Sequence, residues 1–126
     1  MNKKRVLLAE DEPNIVESLQ FLLERAGFDV AVENDGHLAL KAALENCPDV
    51  LVLDVMLPGL DGYEILRQLR ADNRSCDLPV MMLTAKGQRE DREMALDSGV
   101  DIFMTKPFAN AEIIQAVNEL ADRSRP

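Results

Sequence analysis

Two short apolar runs, each ending in acid, restrict this chain more than anything else in it. Val6-Leu7-Leu8-Ala9 leads into Glu10-Asp11-Glu12, and Val50-Leu51-Val52-Leu53 leads into Asp54. Apolar runs of this length beside turn signals read as strands, and strands buried on both faces belong to parallel sheets. In such sheets the ligand crevice lies outside the carboxyl ends of the strands. If the two strands are neighbours, Glu10, Asp11 and Asp54 converge there, and like charges so close repel unless a cation or proton intervenes. Such a cluster costs stability, so it points to function.

The rest of the chain alternates strand-type and helix-type segments, the pattern of an α/β domain built from right-handed crossovers. After a first strand, Arg5 to Ala9, the stretch Glu12 to Ala26 carries Ile15, Val16, Leu19, Leu22 and Leu23 on one helical face, with Pro13 in the first turn and Gly27 as the stop. Asp29 to Glu33 reads as a second strand, Asn34-Asp35-Gly36 as a turn, and Leu38 to Leu44 as an Ala-rich helix. Beyond Asp54 a loop through Met56, Pro58 and Gly59 precedes a helix marked by Tyr63, Leu66 and Leu69. Pro79 to Thr84 is a fourth strand, Gln88 to Ser98 a charged helix ended by Gly99, Ile102 to Thr105 a fifth strand, and Ile113, Ile114, Val117 and Leu120 stripe a final helix. The tail Arg123-Ser124-Arg125-Pro126 is expected to fray.

Composition narrows the class. The 126 residues fit one domain, residues 1–126 with a core over about 4–122, and a chain this size buries roughly two thirds of its unfolded surface. A net charge of -9, from 23 acids against 14 bases, disfavours direct contact with nucleic acid or an anionic membrane surface. Cys47 and Cys76 share no metal-ligand spacing with each other or with His37, so they read as reduced thiols. No apolar stretch approaches the ~20 residues needed to span a bilayer, and the expectation is a cytoplasmic protein.

Four strand ends thus carry Glu10-Asp11, Asp54, Thr84 and Lys106. A carboxylate after one strand is ordinarily a turn or cap residue, but four reactive ends suit a single task. Carboxylates hold a hard divalent cation, a carboxylate attacks phosphorus, and an ammonium and a hydroxyl stabilise charge on a transferred phosphoryl group. Asp54 is the central carboxylate and the best nucleophile.

These residues resemble the receiver domain of two-component response regulators over essentially the whole chain, from Val6 to about Leu120. The matching pieces are Leu7-Leu8-Ala9-Glu10-Asp11, Leu53-Asp54 with Pro58 and Gly62, Thr84-Ala85 and Lys106-Pro107-Phe108. The resemblance implies a three-layer, doubly wound, flavodoxin-like fold with five parallel strands in the order 2-1-3-4-5. It implies that Asp54 takes a phosphoryl group from a sensor histidine kinase or histidine phosphotransfer protein with Mg²⁺. Glu10, Asp11, Asp54 and the backbone carbonyl of Met56 would serve the metal, Glu10 mainly through water. Lys106 would pair with Asp54 or its phosphoryl group, and the peptide to Pro107 is expected cis. Thr84 would swing its hydroxyl onto the phosphoryl group and Phe103 would turn inward as the switch aromatic. Ala85 leaves room for the acyl phosphate, and Met56 and Lys86 stand where the family tunes its hydrolysis. His37 reads as a surface residue, and the methionines at 81, 82, 94 and 104 as soft core.

The implied protein is a regulatory phosphoacceptor that catalyses only its own phosphorylation and dephosphorylation and controls an effector protein or an output domain. The family acts through the face of its fourth helix, fifth strand and fifth helix, often as a homodimer. Arg92, Asp97, Asp101, Glu112 and Arg123 match charged positions of that face, while Ile102 and Ala116 stand where an acid and an arginine are usual. Dimerisation is therefore left open. Two other readings remain on the residues. A Mg²⁺-dependent phosphatase of the haloacid dehalogenase type also uses a strand-end aspartyl nucleophile, but needs a second Asp where Met56 stands. A pseudo-receiver acting by binding alone would not need the full set of chemical groups.

Overall fold

Each apolar run becomes a strand. The computed structural model describes residues 3–84 and 99–123. In chain order they form β1 (Arg5–Ala9), α1 (Pro13–Arg25), β2 (Asp29–Glu33), α2 (Gly36–Asn46), β3 (Val50–Asp54), α3 (Gly62–Ala71), β4 (Val80–Thr84), β5 (Ile102–Thr105) and a last helix, Asn110–Arg123. The strands make one parallel sheet in the order β2-β1-β3-β4-β5, as the resemblance implied. The helix read over Gln88 to Ser98, with Met94, Arg92 and Asp97, lies outside the described residues, as do Ala85, Lys86 and the tail beyond Arg123.

Burial follows position in the sheet. Every residue of β3 and β4 is buried, and so are all of β1 except Arg5. The flanking strands β2 and β5 are half-exposed. This is why the central runs are apolar without alternation: helices cover both of their faces. Successive side chains point to opposite faces and sort into two cores. Leu7, Ala9, Leu51, Leu53, Val80 and Met82 pack beneath α2 and α3, against Ala39, Ala43, Ile65, Leu66 and Leu69. Val6, Leu8, Val50, Val52, Met81 and Leu83 pack beneath α1 and the last helix, against Leu19, Leu23, Ile113, Val117 and Leu120. Each fully buried leucine contributes roughly 1.5–3 kcal/mol, and a one-residue slip of any inner strand would exchange the two cores.

The helices begin where side chains cap them. The Asp35 carboxylate accepts the amides of His37 and Leu38 at 2.8 and 3.2 Å, so α2 starts two residues before the Leu38 expected from its apolar pattern. Asp61 accepts the Glu64 amide at 3.0 Å and starts α3 at Gly62. Pro13 opens α1, and Gly27, at φ +99°, ends it. The thiols of Cys47 and Cys76 are free and exposed. Among the described residues no helix is long and apolar enough to cross a membrane.

Gly36 ties α2 to the loop after β3. Its amide donates to the Pro58 carbonyl at 2.8 Å, and a Cβ there would lie 2.0 Å from the Leu60 carbonyl oxygen. Gly36→Ala should therefore lower the urea unfolding free energy by about 1–3 kcal/mol, although alanine is ordinarily the better helix former.

Candidate functional site

The parallel sheet delivers all four reactive strand ends to one edge. Asp54 is the last residue of β3 and Thr84 the last of β4, both buried, and Asp54 pairs with Leu83 in the ladder. Glu10 follows β1 directly and is fully buried, whereas Asp11 is exposed. Lys106 follows β5, its amide donating to the Thr84 carbonyl at 2.7 Å. Its peptide to Pro107 is cis, as expected.

Lys106 turns back over the carboxylates. Its Nζ lies 2.9 Å from Glu10 Oε1 and 3.5 Å from Asp54 Oδ2. The resemblance implied that Lys106 pairs with Asp54 or its phosphoryl group; Asp54 is in reach, and Glu10 is the nearer partner. The second Glu10 oxygen, Oε2, accepts the amides of Asp11 and Glu12, each at 3.1 Å. Asp54 Oδ1 accepts the Met56 amide at 3.2 Å. That bond turns the loop and leaves the Met56 side chain 65% exposed. Gly62 passes close beneath, where a Cβ would meet the Asp54 carbonyl oxygen at 2.7 Å.

Oxygens of Glu10, Asp11 and Asp54 all lie within 4.8 Å of one another. Three hard carboxylate oxygens at that spacing, one of them solvent-facing, suit a hard divalent cation that keeps part of its water shell. The ammonium of Lys106 already shows that the two buried carboxylates accept a cation. Burial is the largest influence on Glu10 and raises its pKa above the usual carboxylate value; the Lys106 hydrogen bond offsets part of that and nearby Asp54 adds to it. Burial alone would push the Lys106 ammonium down, but its hydrogen bond to Glu10 and the charges of Asp54 and Glu10 hold it above the usual lysine value.

Phe103 stands in the middle of β5, half-buried, and packs on the core beneath α3. Beside the site, Ile15, Leu19, Pro107 and Phe108 line a groove of about 520 Å³ between α1 and the segment after β5, with Glu12 and Lys106 at its polar rim. His37 is exposed, as read, but not remote from the strand ends. It sits against Gly59 in the loop leaving β3, because α2 starts at the same edge of the sheet. On the proposed dimer face, Ala116 is buried in the core beneath α1. Asp101 is engaged within the chain, by Arg70 at 3.1 Å and Arg123 at 3.6 Å. Nothing in the apolar periodicity marked Arg70, which the sequence reading passed over.

A five-stranded parallel sheet in the order β2-β1-β3-β4-β5, with carboxylates, a hydroxyl and a lysine at its carboxyl edge, is the flavodoxin-like receiver fold. The chain belongs to the response regulator receiver domain family of two-component systems, whose pattern matches residues 6–118. It is 47% identical over 124 residues to the alkaline phosphatase synthesis transcriptional regulatory protein PhoP of Bacillus subtilis, covering 98% of this chain and 50% of that protein. It is 37% identical to the phosphate regulon transcriptional regulatory protein PhoB of Escherichia coli, covering 98% of this chain and 54% of that protein. The chain thus spans about half the length of the curated relatives it matches. Among solved structures it is similar to the receiver domain of the sensor histidine kinase PA1611 of Pseudomonas aeruginosa, which has magnesium coordinated in its active-site cleft. That similarity has a TM-score of 0.89 at 30% identity, covering 96% of this chain and 99% of that one.

The raised Glu10 value carries a pH signature. A carboxyl that binds its proton more tightly in the folded chain favours folding below the ordinary value of 4.5, and that contribution is lost as pH rises through the raised value. The raised Lys106 value acts at the other end: its contribution is present below 10.5 and lost as pH rises through the higher folded value. Urea midpoints at about pH 4 and about pH 8 should therefore drop less on going alkaline for Glu10→Gln than for the parent chain. An equal drop in both would remove Glu10 as the source.

Proposed function

We propose that the chain is a phosphorylation-controlled switch in which Asp54 accepts a phosphoryl group from the histidine of a sensor kinase or phosphotransfer protein. The observation that carries this reading is the Lys106 ammonium held against two buried carboxylates, beside a hydroxyl, at one sheet edge. The Asp54 carboxylate attacks phosphorus while the bond from phosphorus to the donor nitrogen breaks, and the electron pair of that bond leaves with the donor. Lys106 has a second carboxylate in reach, so it is placed to shift from Asp54 toward a phosphoryl oxygen while Glu10 keeps it in position. Thr84 lies at the end of the neighbouring strand, where its hydroxyl is placed to donate to another phosphoryl oxygen. Phe103 follows Thr84 inward, changing the outer surface of β5.

Glu10, Asp11, Asp54 and the Met56 carbonyl are the groups that would hold Mg²⁺. When bound, the ion neutralises the crowded carboxylates and the charge of the incoming phosphoryl oxygens. In this reading residues 1–126 are one receiver unit, and its output is an effector protein or a domain of a longer chain. The relatives' roles in transcription suit the second arrangement.

Incubation with a small-molecule phosphodonor and Mg²⁺ should give an acyl phosphate on Asp54, labile in strong acid and in base, absent from Asp54→Asn. Lys106→Ala should slow the modification on the order of a hundred-fold, the usual loss when one group stabilising a developing charge is removed. Phosphate that persists in Asp54→Asn would overturn the assignment. Mg²⁺ should also raise the melting temperature of the parent by a few degrees, about the shift expected of saturating ligand on a domain this size, and should raise that of Asp54→Asn less.

A further inference from the structure

β5 is the weakest element of the sheet that builds the site. It has four residues, none of them fully buried, and among the described residues it pairs only with β4. A short, half-covered strand is poorly held in register by side-chain burial, because a slip loses little. Yet this strand carries Phe103 at its centre and Lys106 just past its end, so its register sets where the ammonium stands.

At its start β5 is held by an ionic lock. The Asp101 amide donates to the Val80 carbonyl at 3.0 Å, and the Asp101 carboxylate accepts the Val80 amide at 2.8 Å, a reciprocal pair at the foot of β4. The same oxygen accepts Arg70 Nη2 at 3.1 Å. Arg70 Nε donates to the Gly99 carbonyl at 3.0 Å, and Nη1 reaches the Leu78 carbonyl at 2.7 Å and those of Ser75 and Cys76 at 3.3 Å. One guanidinium therefore gathers the end of α3, the loop before β4, and Gly99 and Asp101 ahead of β5. Arg123 approaches the other Asp101 oxygen from the last helix. Charge-assisted bonds to backbone groups of three segments fix a geometry that apolar contact leaves loose.

We infer that Arg70 and Asp101 are positioning residues for Lys106: they lock the register of β5 at its foot, five residues from the ammonium it delivers to Glu10 and Asp54. The claim that this matters for phosphoryl transfer rests on the function proposed above; the mechanical claim does not. The role differs from the one the sequence suggested for Asp101, a charge for a second copy of the chain, because its carboxylate is committed to the Val80 amide and Arg70.

Amide hydrogen exchange followed by NMR separates the mechanical claim from general destabilisation. The probe is the Lys106 amide, bonded to the Thr84 carbonyl at the far end of β5. In Asp101→Ala its protection should fall about ten-fold or more, while amides of β1 keep theirs; Asp101→Asn, which retains an acceptor for Val80, should lose less. Protection lost only at Val80, or lost in parallel throughout the sheet, overturns the lock. In the phosphodonor assay Asp101→Ala should slow modification of Asp54 several-fold in the parent and have no further effect in Lys106→Ala, since it acts through that lysine. Equal slowing in both backgrounds would refute action through Lys106. If the parent takes no phosphate, the functional reading fails while the exchange result still decides the lock.

Discussion

Everything at the functional edge depends on one ammonium between two buried carboxylates. Glu10 and Asp54 lie in the interior of a sheet whose neighbours are leucine, valine and methionine. Buried acids without a partner would bind protons instead of remaining charged. Lys106 supplies the counter-charge, and two backbone amides hold the remaining oxygen of Glu10. The arrangement sets a cation beside two buried carboxylates. Three carboxylates gather there, and Lys106 pairs with the two buried ones, Glu10 and Asp54. The crowded oxygens of Glu10, Asp11 and Asp54 suit a hard divalent cation, which would ease their repulsion.

The surrounding structure serves that edge by close approach. Gly36 and Gly62 let the start of α2 and the start of α3 press against the loop leaving β3, where any Cβ would collide with backbone. The Asp35 and Asp61 carboxylates cap those two helix starts. The loop that carries Met56 past Asp54 is thus confined from two sides, while the exposed Met56 side chain is left to face whatever approaches. The apolar groove of Ile15, Leu19, Pro107 and Phe108 opens beside Lys106. Rigid core and accessible chemistry meet within a few residues.

Stability is distributed unevenly across the sheet. β1, β3 and β4 are sealed by two cores, whereas β5 is held by pairing on β4 and by polar anchors at its two ends. Signalling elements are drawn from the less stable parts of a fold, since those rearrange at small cost. Phe103 sits in such a part. Ala116, buried beneath α1, and Asp101, tied to Arg70 and Val80, give the outer face here a more intramolecular character than the matching charges implied.

Apolar runs, helix faces and turn residues were enough to read the α/β class, the bounds of β1, β2 and β5, and Asp54 as the candidate acceptor. Hydrophobic burial has short-range signatures, with a period of two or 3.6 residues, and a chain displays them without being folded. Resemblance to receiver domains added the strand order and the proposed roles of Thr84, Lys106 and Phe103. Other facts have no local signature. That Lys106 leans on Glu10 more than on Asp54, that His37 sits against the loop leaving β3, and that Arg70 ties α3 to β5 depend on residues 22 to 96 positions apart meeting in space. Long flexible charged side chains find partners only after the backbone has brought the elements together, so their pairing belongs to the tertiary structure. The linear order of residues specified which groups the site contains; packing of the sheet assigned each one its partner.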